Sequence, residues 1–180
     1  MNFEVISSDK ISDVKLIKYR TFADNRGTFG ETFREKEFEN FGLPKFVQEN
    51  VSVSDKGVIR GMHYQLNPKA QAKLVYCLVG AIYDVVVDIR RSSHTFGKVA
   101  GFYIEAGTSL FVPVGFAHGF QALKNDTVVA YKVSEYYSKD HERGIAPFDD
   151  DLSIGWPEYY SKLSQKDKDA PSFSVAENNF

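Results

Sequence analysis

Short apolar segments, alternating with polar positions and punctuated by glycine, make up the middle of the chain. Their content of Val, Tyr and Phe favours strands over helices. Many short strands at this spacing are typical of a β-sandwich or barrel. The pattern predicts strands at 46–53, 73–79, 81–89, 98–104, 110–112, 119–123 and 128–133.

Helical signals are few and lie outside these segments. A short amphipathic stretch covers 34–41, and Ser164-Gln165-Lys166-Asp167 fits a capping box at the start of a terminal helical turn. The chain has neither an internal repeat nor a low-complexity linker. We therefore expect residues 1–180 to form one all-β domain with short peripheral helices.

Composition and charge exclude several classes of protein. A formal net charge of −2, with no Lys/Arg run longer than two, argues against a nucleic-acid partner. No apolar segment approaches membrane-spanning length, and charges interrupt the N-terminal segment, so we expect a cytoplasmic protein with no membrane partner. The single cysteine, Cys77, lies in an apolar run and is predicted to fill the core.

Strand alternation in 81–89 places the even-numbered positions from Ile82 to Asp88 on one face. Asp84 then points either into the interior or to solvent on an outer face. A buried carboxylate needs a partner, and Lys73 on the preceding predicted strand is a candidate. Both orientations of Asp84 stay open at this point.

Two histidines, a lysine and a tyrosine carry the candidate chemistry: His63, Lys73, His118 and Tyr131. A histidine held by a carboxylate can act as general base, and a tyrosine can return a proton from the opposite side. A lysine can stabilise the negative charge that develops on a carbonyl oxygen when a neighbouring C–H is deprotonated. Together these are the parts of an enolate-forming isomerase, although each histidine alone fits a structural role and the tyrosine fits a core aromatic.

Metal binding is the competing interpretation. The spacing Pro113-x-Gly115-x-x-His118 resembles the second half of the cupin signature, whose histidine often binds a metal ion. The first half would supply a His-x-His pair and a glutamate, whereas residues 60–65 offer one histidine and no carboxylate. A facial set of ligands is hard to assemble from the remaining residues, so no metal site is predicted.

Several ordered motifs carry a family resemblance. They are Asp24-Asn25-Arg26-Gly27-x-Phe29-x-Glu31, Gln48-Glu49-Asn50, Arg60-Gly61-Met62-His63-Tyr64-Gln65, Lys73-Leu74-Val75, Thr95-Phe96-Gly97, Gly115-Phe116-Ala117-His118-Gly119-Phe120 and Leu163-Ser164-Gln165-Lys166-Asp167. From Phe22 to about Pro171 the sequence resembles the dTDP-4-dehydrorhamnose 3,5-epimerase family.

This resemblance implies a metal-free jelly-roll barrel of the cupin superfamily that needs no cofactor and works as a homodimer with strands exchanged between subunits. The reaction implied is conversion of dTDP-4-dehydro-6-deoxy-D-glucose to dTDP-4-dehydro-L-rhamnose. By position, His63 matches the family's general base, Asp167 the carboxylate that orients it and Tyr131 the acid on the opposite face. Lys73 and His118 match the residues around the sugar C4 oxygen.

The resemblance also implies a set of substrate contacts, in which Tyr137 matches the aromatic that stacks on thymine. The other matched positions are Arg26, Phe29, Glu31, Gln48, Asn50, Arg60, Glu142 and Lys166. A diphosphate can be bound bidentately by arginine, for which Arg60 or Arg26 is suited. The structural alternatives are a surface ion pair for either arginine, ordinary packing for Tyr137 and solvated charges for Glu142 and Lys166.

The sequence departs from the family pattern at 145–151, where a tryptophan-containing run is usual. This departure puts the substrate in more doubt than the reaction class. An epimerase acting at C3 or C5 alone, a keto-sugar isomerase, a metal-dependent cupin enzyme and a noncatalytic sugar-nucleotide binding module remain as alternatives. For the Asp167 carboxylate, satisfying the backbone N–H groups at the helix start is the structural alternative.

Overall fold

The computed structural model describes residues 2–7, 11–159 and 161–180, and it is almost entirely β structure. The elements in these ranges, in chain order, are β1 (Phe3–Ser7), β2 (Lys15–Tyr19), β3 (Thr21–Asp24), β4 (Gly27–Gly30), α1 (Glu35–Asn40), β5 (Gln48–Ser54), β6 (Ile59–Gln65), β7 (Lys73–Val79), β8 (Ile82–Asp88), β9 (Val99–Ile104), β10 (Thr108–Val112), β11 (Phe116–Ala122), β12 (Thr127–Val133), β13 (Glu142–Gly144) and α2 (Gln165–Lys168). Neither of these helices has the length and apolar character needed to cross a bilayer.

Two antiparallel sheets form the body of the fold. One has six strands in the order β1-β2-β10-β7-β12-β5, and the other has five in the order β13-β6-β11-β8-β9. Strands β3 and β4 form a separate two-stranded ribbon. The all-β jelly-roll architecture expected from the sequence is confirmed, and each of the seven predicted strands corresponds to an observed one.

The core lies between the two sheets. Val75, Cys77 and Val129 from the six-stranded sheet belong to one buried cluster with Val86 and Phe120 from the five-stranded sheet. Cys77 is fully buried, as predicted. Burying these side chains supplies most of the free energy that joins the sheets, at about 25 cal/mol per Å² of apolar surface.

Strand β8 shows the alternation that the sequence predicts. Ile82 and Val86 face the core between the sheets, while Val85 and Val87 pack in a second cluster. That second cluster includes Ile145, from the segment that follows β13. The five-stranded sheet is therefore covered by the C-terminal part of the chain, which also carries α2.

Helix α1 covers part of the other sheet. Phe38 is its one buried residue, and it packs with Ile17, Leu74 and Phe111 in a third cluster. The first turn of α1 carries Glu35 and Glu37. Negatively charged side chains at this end stabilise a helix because they interact favourably with its dipole. Both predicted helical segments are confirmed as short peripheral elements.

Candidate active site

A cavity of about 660 Å³ lies between the two sheets and brings together all five residues predicted to be catalytic. His63 on β6 and His118 on β11 come from the five-stranded sheet, whereas Lys73 on β7 and Tyr131 on β12 come from the six-stranded sheet. Asp167 enters from α2. The histidines and the tyrosine thus face one chamber from opposite walls.

Close approach of two glycines sets the spacing of the histidine-bearing strands. His63 and His118 are partners in the β6–β11 ladder, which has an irregularity just after His118. A Cβ added at Gly61 would lie 2.4 Å from the Cα of Gly119. Gly61 also has φ of +144°, a conformation that other residues rarely adopt. Glycine at both positions lets the two strands approach where the imidazoles enter the cavity.

His63 and Asp167 form a close pair across 104 residues of sequence, with 2.6 Å between Nε2 and Oδ1. The backbone N–H of Asp167 donates to the Ser164 hydroxyl at 3.1 Å, so Ser164 caps the helix and the carboxylate reaches the imidazole. Burial acts to raise the pKa of Asp167, but interactions with His63, Ser164 and Lys166 together lower it below its ordinary value. Asp167 therefore stays ionised beside the imidazole.

His118 forms a second histidine–carboxylate pair, with Asp84. Its Nε2 lies 3.0 Å from Oδ2 in a hydrogen bond and 2.9 Å from Oδ1. Asp84 is fully buried, which excludes the outer-face orientation left open by the sequence. Its direct partner is His118 and not Lys73, because β8 and β11 are neighbouring strands. Burial lowers the pKa of His118 despite the nearby Asp84, so the neutral imidazole is favoured.

Lys73 is a buried cation at the wall of the cavity, with 8% of its surface exposed. Its Nζ donates to the carbonyl oxygen of His63 at 3.1 Å. Burial lowers the pKa of Lys73 to about 8, against the opposing attraction of Asp84. The side chain is therefore held close to His63 and loses its proton far more easily than an exposed lysine.

Tyr131 faces the same chamber from β12, where it is paired in register with Asn50 on β5. Burial raises the pKa of its phenol, and a hydrogen bond with Asn50 only partly offsets this. The phenol is therefore protonated at neutral pH. A protonated phenol facing an imidazole across a cavity is an arrangement that can deliver a proton to one face of a bound carbon and remove one from the other.

The predicted substrate contacts divide into three groups. Asn50, Arg60, Glu142 and Lys166 line the main cavity. Gln48 and Tyr137 line an adjoining cavity of about 250 Å³. The two cavities share His63, Lys73, Asn50, Tyr131 and Glu142, so they form one continuous region.

Hydrogen bonds connect most of these contacts to one another. Glu142 accepts from Lys166 at 2.5 Å and from the Tyr137 hydroxyl at 3.0 Å. These bonds lower the pKa of Glu142 although burial acts to raise it. The Arg60 guanidinium donates to Ser54 Oγ and to the Val53 carbonyl, 3.1 and 3.2 Å away. Charged groups of both signs thus line the cavity.

Arg26, Phe29 and Glu31 form the third group, and this chain does not bring them to the cavity. Arg26 and Phe29 lie on the β3–β4 ribbon, where Arg26 pairs with Asp24 at 2.5 Å. Phe29 is 71% exposed. Glu31 pairs instead with Arg34. Within one copy of the chain these three residues lie away from the cavity that contains His63, and their role as substrate contacts stays a prediction.

Ser164 and Lys162 are among the cavity-lining residues that were not predicted from the sequence. The sequence predicts Ser164 as a helix cap, and Lys162 lies in a segment without periodicity. Lys162 reaches the cavity because its backbone bonds to Gly57 and Ile59, which forms a parallel bridge beside β6. Nothing in the local sequence signals that long-range pairing.

The described residues contain no group of three or more His, Cys, Asp and Glu side chains placed to hold a metal ion. The acidic and imidazole groups of the cavity are instead arranged as two separate pairs. This donor set does not resemble a facial ligand set.

The profile of the dTDP-4-dehydrorhamnose 3,5-epimerase family matches residues 8–175. The chain belongs to this family. A dTDP-4-dehydrorhamnose 3,5-epimerase of Sinorhizobium fredii is 48% identical over 177 residues, covering 96% of this chain and 89% of that one. The sequence-based resemblance to the dTDP-4-dehydrorhamnose 3,5-epimerases is confirmed.

Solved structures agree with this assignment to the epimerase family. A dTDP-6-deoxy-D-glucose-3,5-epimerase of Legionella pneumophila, solved with dTDP-4-keto-L-rhamnose, has a TM-score of 0.92 and 39% identity, covering 96% of this chain and 94% of that one. A 3'-monoepimerase of Streptomyces bikiniensis, solved with dTDP-quinovose, has a TM-score of 0.86 and 34% identity, covering 94% and 88%. The fold is therefore shared by enzymes named for one and for two inversions.

Proposed function

We propose that this epimerase converts dTDP-4-dehydro-6-deoxy-D-glucose to dTDP-4-dehydro-L-rhamnose by inverting C3 and C5, without a metal or redox cofactor. The observation that carries the proposal is that His63 and Tyr131 face one cavity from opposite sheets, and that Lys73 lines the same cavity. Family membership and the relatives' names support the substrate.

The proposed reaction begins with removal of a proton from the carbon beside the C4 ketone. Asp167 lies against Nε2 of His63, which leaves Nδ1 to accept this proton. The resulting enolate oxygen is negatively charged, and the ammonium of the buried Lys73 side chain can stabilise that charge. Since the pKa of an α-proton is far above that of imidazole, the step depends on this stabilisation.

Inversion requires that the new proton arrive on the opposite face of the sugar. Tyr131 is protonated at neutral pH and lies on the opposite wall, so it is assigned as the acid. The same pair serves C3 and C5 in turn, because both carbons flank the C4 ketone. We assign His118, held by Asp84, to the wall around the C4 oxygen.

The nucleotide is proposed to lie toward the adjoining cavity, with its base against Tyr137. Arg60 and Lys166 at the cavity mouth supply the positive charge for the diphosphate. Lys166 is paired with Glu142, so a bound diphosphate would compete with that carboxylate. Gln48 and Asn50, which bond to each other at 3.0 Å, complete this wall.

Proton exchange with solvent tests the proposed reaction directly. The enzyme is incubated with dTDP-4-dehydro-6-deoxyglucose in deuterated buffer, and C3 and C5 are followed by NMR. Deuterium at both carbons with formation of the L-rhamno product is expected, and exchange at neither would refute the proposal. Treatment with a chelator should leave the rate unchanged, whereas a loss of activity restored by added metal would favour a metal-dependent enzyme.

Single inversion is the second candidate function, and the shared fold of the Streptomyces bikiniensis 3'-monoepimerase favours keeping it. It predicts deuterium at one carbon and a product that retains the original configuration at the other. The same NMR experiment therefore separates the two reactions.

Replacing Tyr131 by phenylalanine should lower the rate of product formation by about 10²-fold or more, because the acid on one face is lost. Proton abstraction by His63 should continue, so deuterium exchange without inversion is the expected signature. Calorimetry should show dTDP affinity within about twofold of wild type, since the phenol acts in the transition state. Product formation at the wild-type rate would remove Tyr131 from the mechanism.

We also infer that the protein acts as a homodimer in which the β3–β4 ribbon serves the partner's cavity. Phe22 and Phe29 on the ribbon are exposed, as are Val51 and Val53 on the edge strand β5. Docking the ribbon of one copy beside the cavity of another would bury these apolar side chains. It would also bring Arg26 to a diphosphate. The cytoplasmic location expected from the sequence remains a prediction.

Mixing two inactive variants tests this arrangement. His63→Ala and Arg26→Ala should each be impaired as pure proteins. After denaturation and refolding together, random pairing should restore about a quarter of the sites, because a mixed dimer has one site with both residues intact. Activity that stays at the level of the separate variants would show that Arg26 does not serve the partner's site.

A further inference from the structure

Gln65 is a buried side chain of β6, 4% exposed, to which the proposed mechanism gives no role. Its amide makes three hydrogen bonds, all to backbone. Nε2 donates to the carbonyls of Lys69 at 2.5 Å and Tyr136 at 3.3 Å, while Oε1 accepts from the N–H of Ser138 at 2.7 Å. Tyr136 and Ser138 flank Tyr137, so one side chain holds the backbone on both sides of that tyrosine.

Tyr137 is fixed at two further points. Its N–H donates to Gln48 Oε1 at 3.0 Å, and its hydroxyl donates to Glu142 Oε2 at 3.0 Å. The residue is nevertheless 55% exposed and lines the adjoining cavity. An exposed aromatic side chain on a loop normally loses conformational freedom when a ligand binds, which costs binding free energy. Fixing the side chain before binding removes this entropic cost.

We propose that Gln65 is a positioning residue for nucleotide recognition: it tethers residues 136–138 so that the Tyr137 ring is already in place for the base of a nucleoside diphosphate. The proposal rests on the proposed function, in which Tyr137 contacts the base. The tether does not involve Lys73, Tyr131 or Asp167. Its loss should therefore weaken nucleotide binding and leave proton transfer nearly intact.

Two substitutions separate the hydrogen bonds from the volume of the side chain. Gln65→Met keeps the length but none of the three bonds, and Gln65→Glu keeps only the acceptor for Ser138. Gln65→Met should raise the Kd for dTDP and the KM for the keto sugar about tenfold, because buried backbone groups lose their partners. Turnover at saturating substrate should stay within about twofold. Gln65→Glu should raise the Kd at least as much, because its buried carboxylate would face the carbonyls of Lys69 and Tyr136.

Tyr64→Phe is the matched control on the same strand. Tyr64 is also buried and borders the adjoining cavity, but its side chain packs in the second cluster. The hydroxyl that the substitution removes donates to the Glu177 carbonyl at 2.5 Å, away from residues 136–138. The variant loses one bond from side chain to backbone without touching the tether. Unchanged dTDP affinity in Tyr64→Phe is expected. A loss equal to that of Gln65→Met would assign the effect to general damage of β6 and overturn the proposal.

A double-mutant cycle with Tyr137→Ala tests whether Gln65 acts through that ring. The single Tyr137→Ala variant should weaken dTDP binding, and adding Gln65→Met should cause little further loss. If the two substitutions weaken dTDP binding additively, Gln65 does not act through the Tyr137 ring, and the proposal is overturned. If Tyr137→Ala weakens dTDP binding while Gln65→Met does not, the positioning role of Gln65 is refuted and the base contact of Tyr137 stands. If Tyr137→Ala has no effect, the base contact of the proposed function fails, and the tether fails with it.

Discussion

Replacing His63 by alanine should abolish most of the activity, with turnover falling by about 10²- to 10⁴-fold, as expected for loss of a general base. The variant should also stop exchanging deuterium at C3 and C5, because it lacks the imidazole that Asp167 orients to accept the proton. Binding of dTDP should be nearly unchanged, since the imidazole acts on the sugar. Turnover and exchange by NMR, with calorimetry for dTDP, measure all three quantities.

His94→Ala is the matched control for this prediction, because His94 is exposed and lies outside both cavities. It should retain wild-type turnover. Continued deuterium exchange at both carbons in His63→Ala would show that another base removes the protons. If exchange proceeds at the wild-type rate while product forms slowly, His63 acts in a step after proton abstraction.

Replacing Lys73 by methionine should lower kcat by about 10²- to 10³-fold, the usual effect of removing one group that stabilises an oxyanion. The substitution keeps much of the buried volume and removes the charge. In the wild type, the ammonium is lost as pH rises through its lowered pKa of about 8, so activity should fall above that pH. The variant should lack this alkaline limb. A pH profile of kcat/KM for both proteins measures the difference.

Lys98→Met serves as the control, because Lys98 is exposed on the surface. It should reproduce the wild-type profile, including the fall above about pH 8. An alkaline limb that persists in Lys73→Met would assign that titration to another group. A full rate in Lys73→Met would show that the enolate is stabilised without this cation.

The sequence predicts the strands best where one face is clearly apolar, as in β7, β8 and β12. Strands β3 and β4 have no buried face in this chain, so alternation gives no signal for them. Strand β13 has three residues, two of them charged, and forms because it pairs with β6. Such elements depend on tertiary pairing, which local sequence does not encode.

The candidate site was predictable in its residues but not in all of its contacts. The meeting of His63, Lys73, His118, Tyr131 and Asp167 in one cavity agrees with the motif-based prediction. The pairing of Asp84 with His118 depends on the register of β8 against β11, which a pattern of apolar positions does not give. Likewise, the tether from Gln65 to residues 136–138 spans 73 residues of sequence at its Ser138 contact and has no local signature.

The distance in sequence between His63 and Asp167 has a consequence for biosynthesis. The last strand ends at Gly144, so a nascent chain that has reached this point already contains every segment of both sheets in the described part of the protein. The carboxylate that orients the imidazole is made later and arrives with α2. The carboxylate partner of His63 therefore becomes available only after all the strands of both sheets have been synthesised, together with the segment that covers the five-stranded sheet.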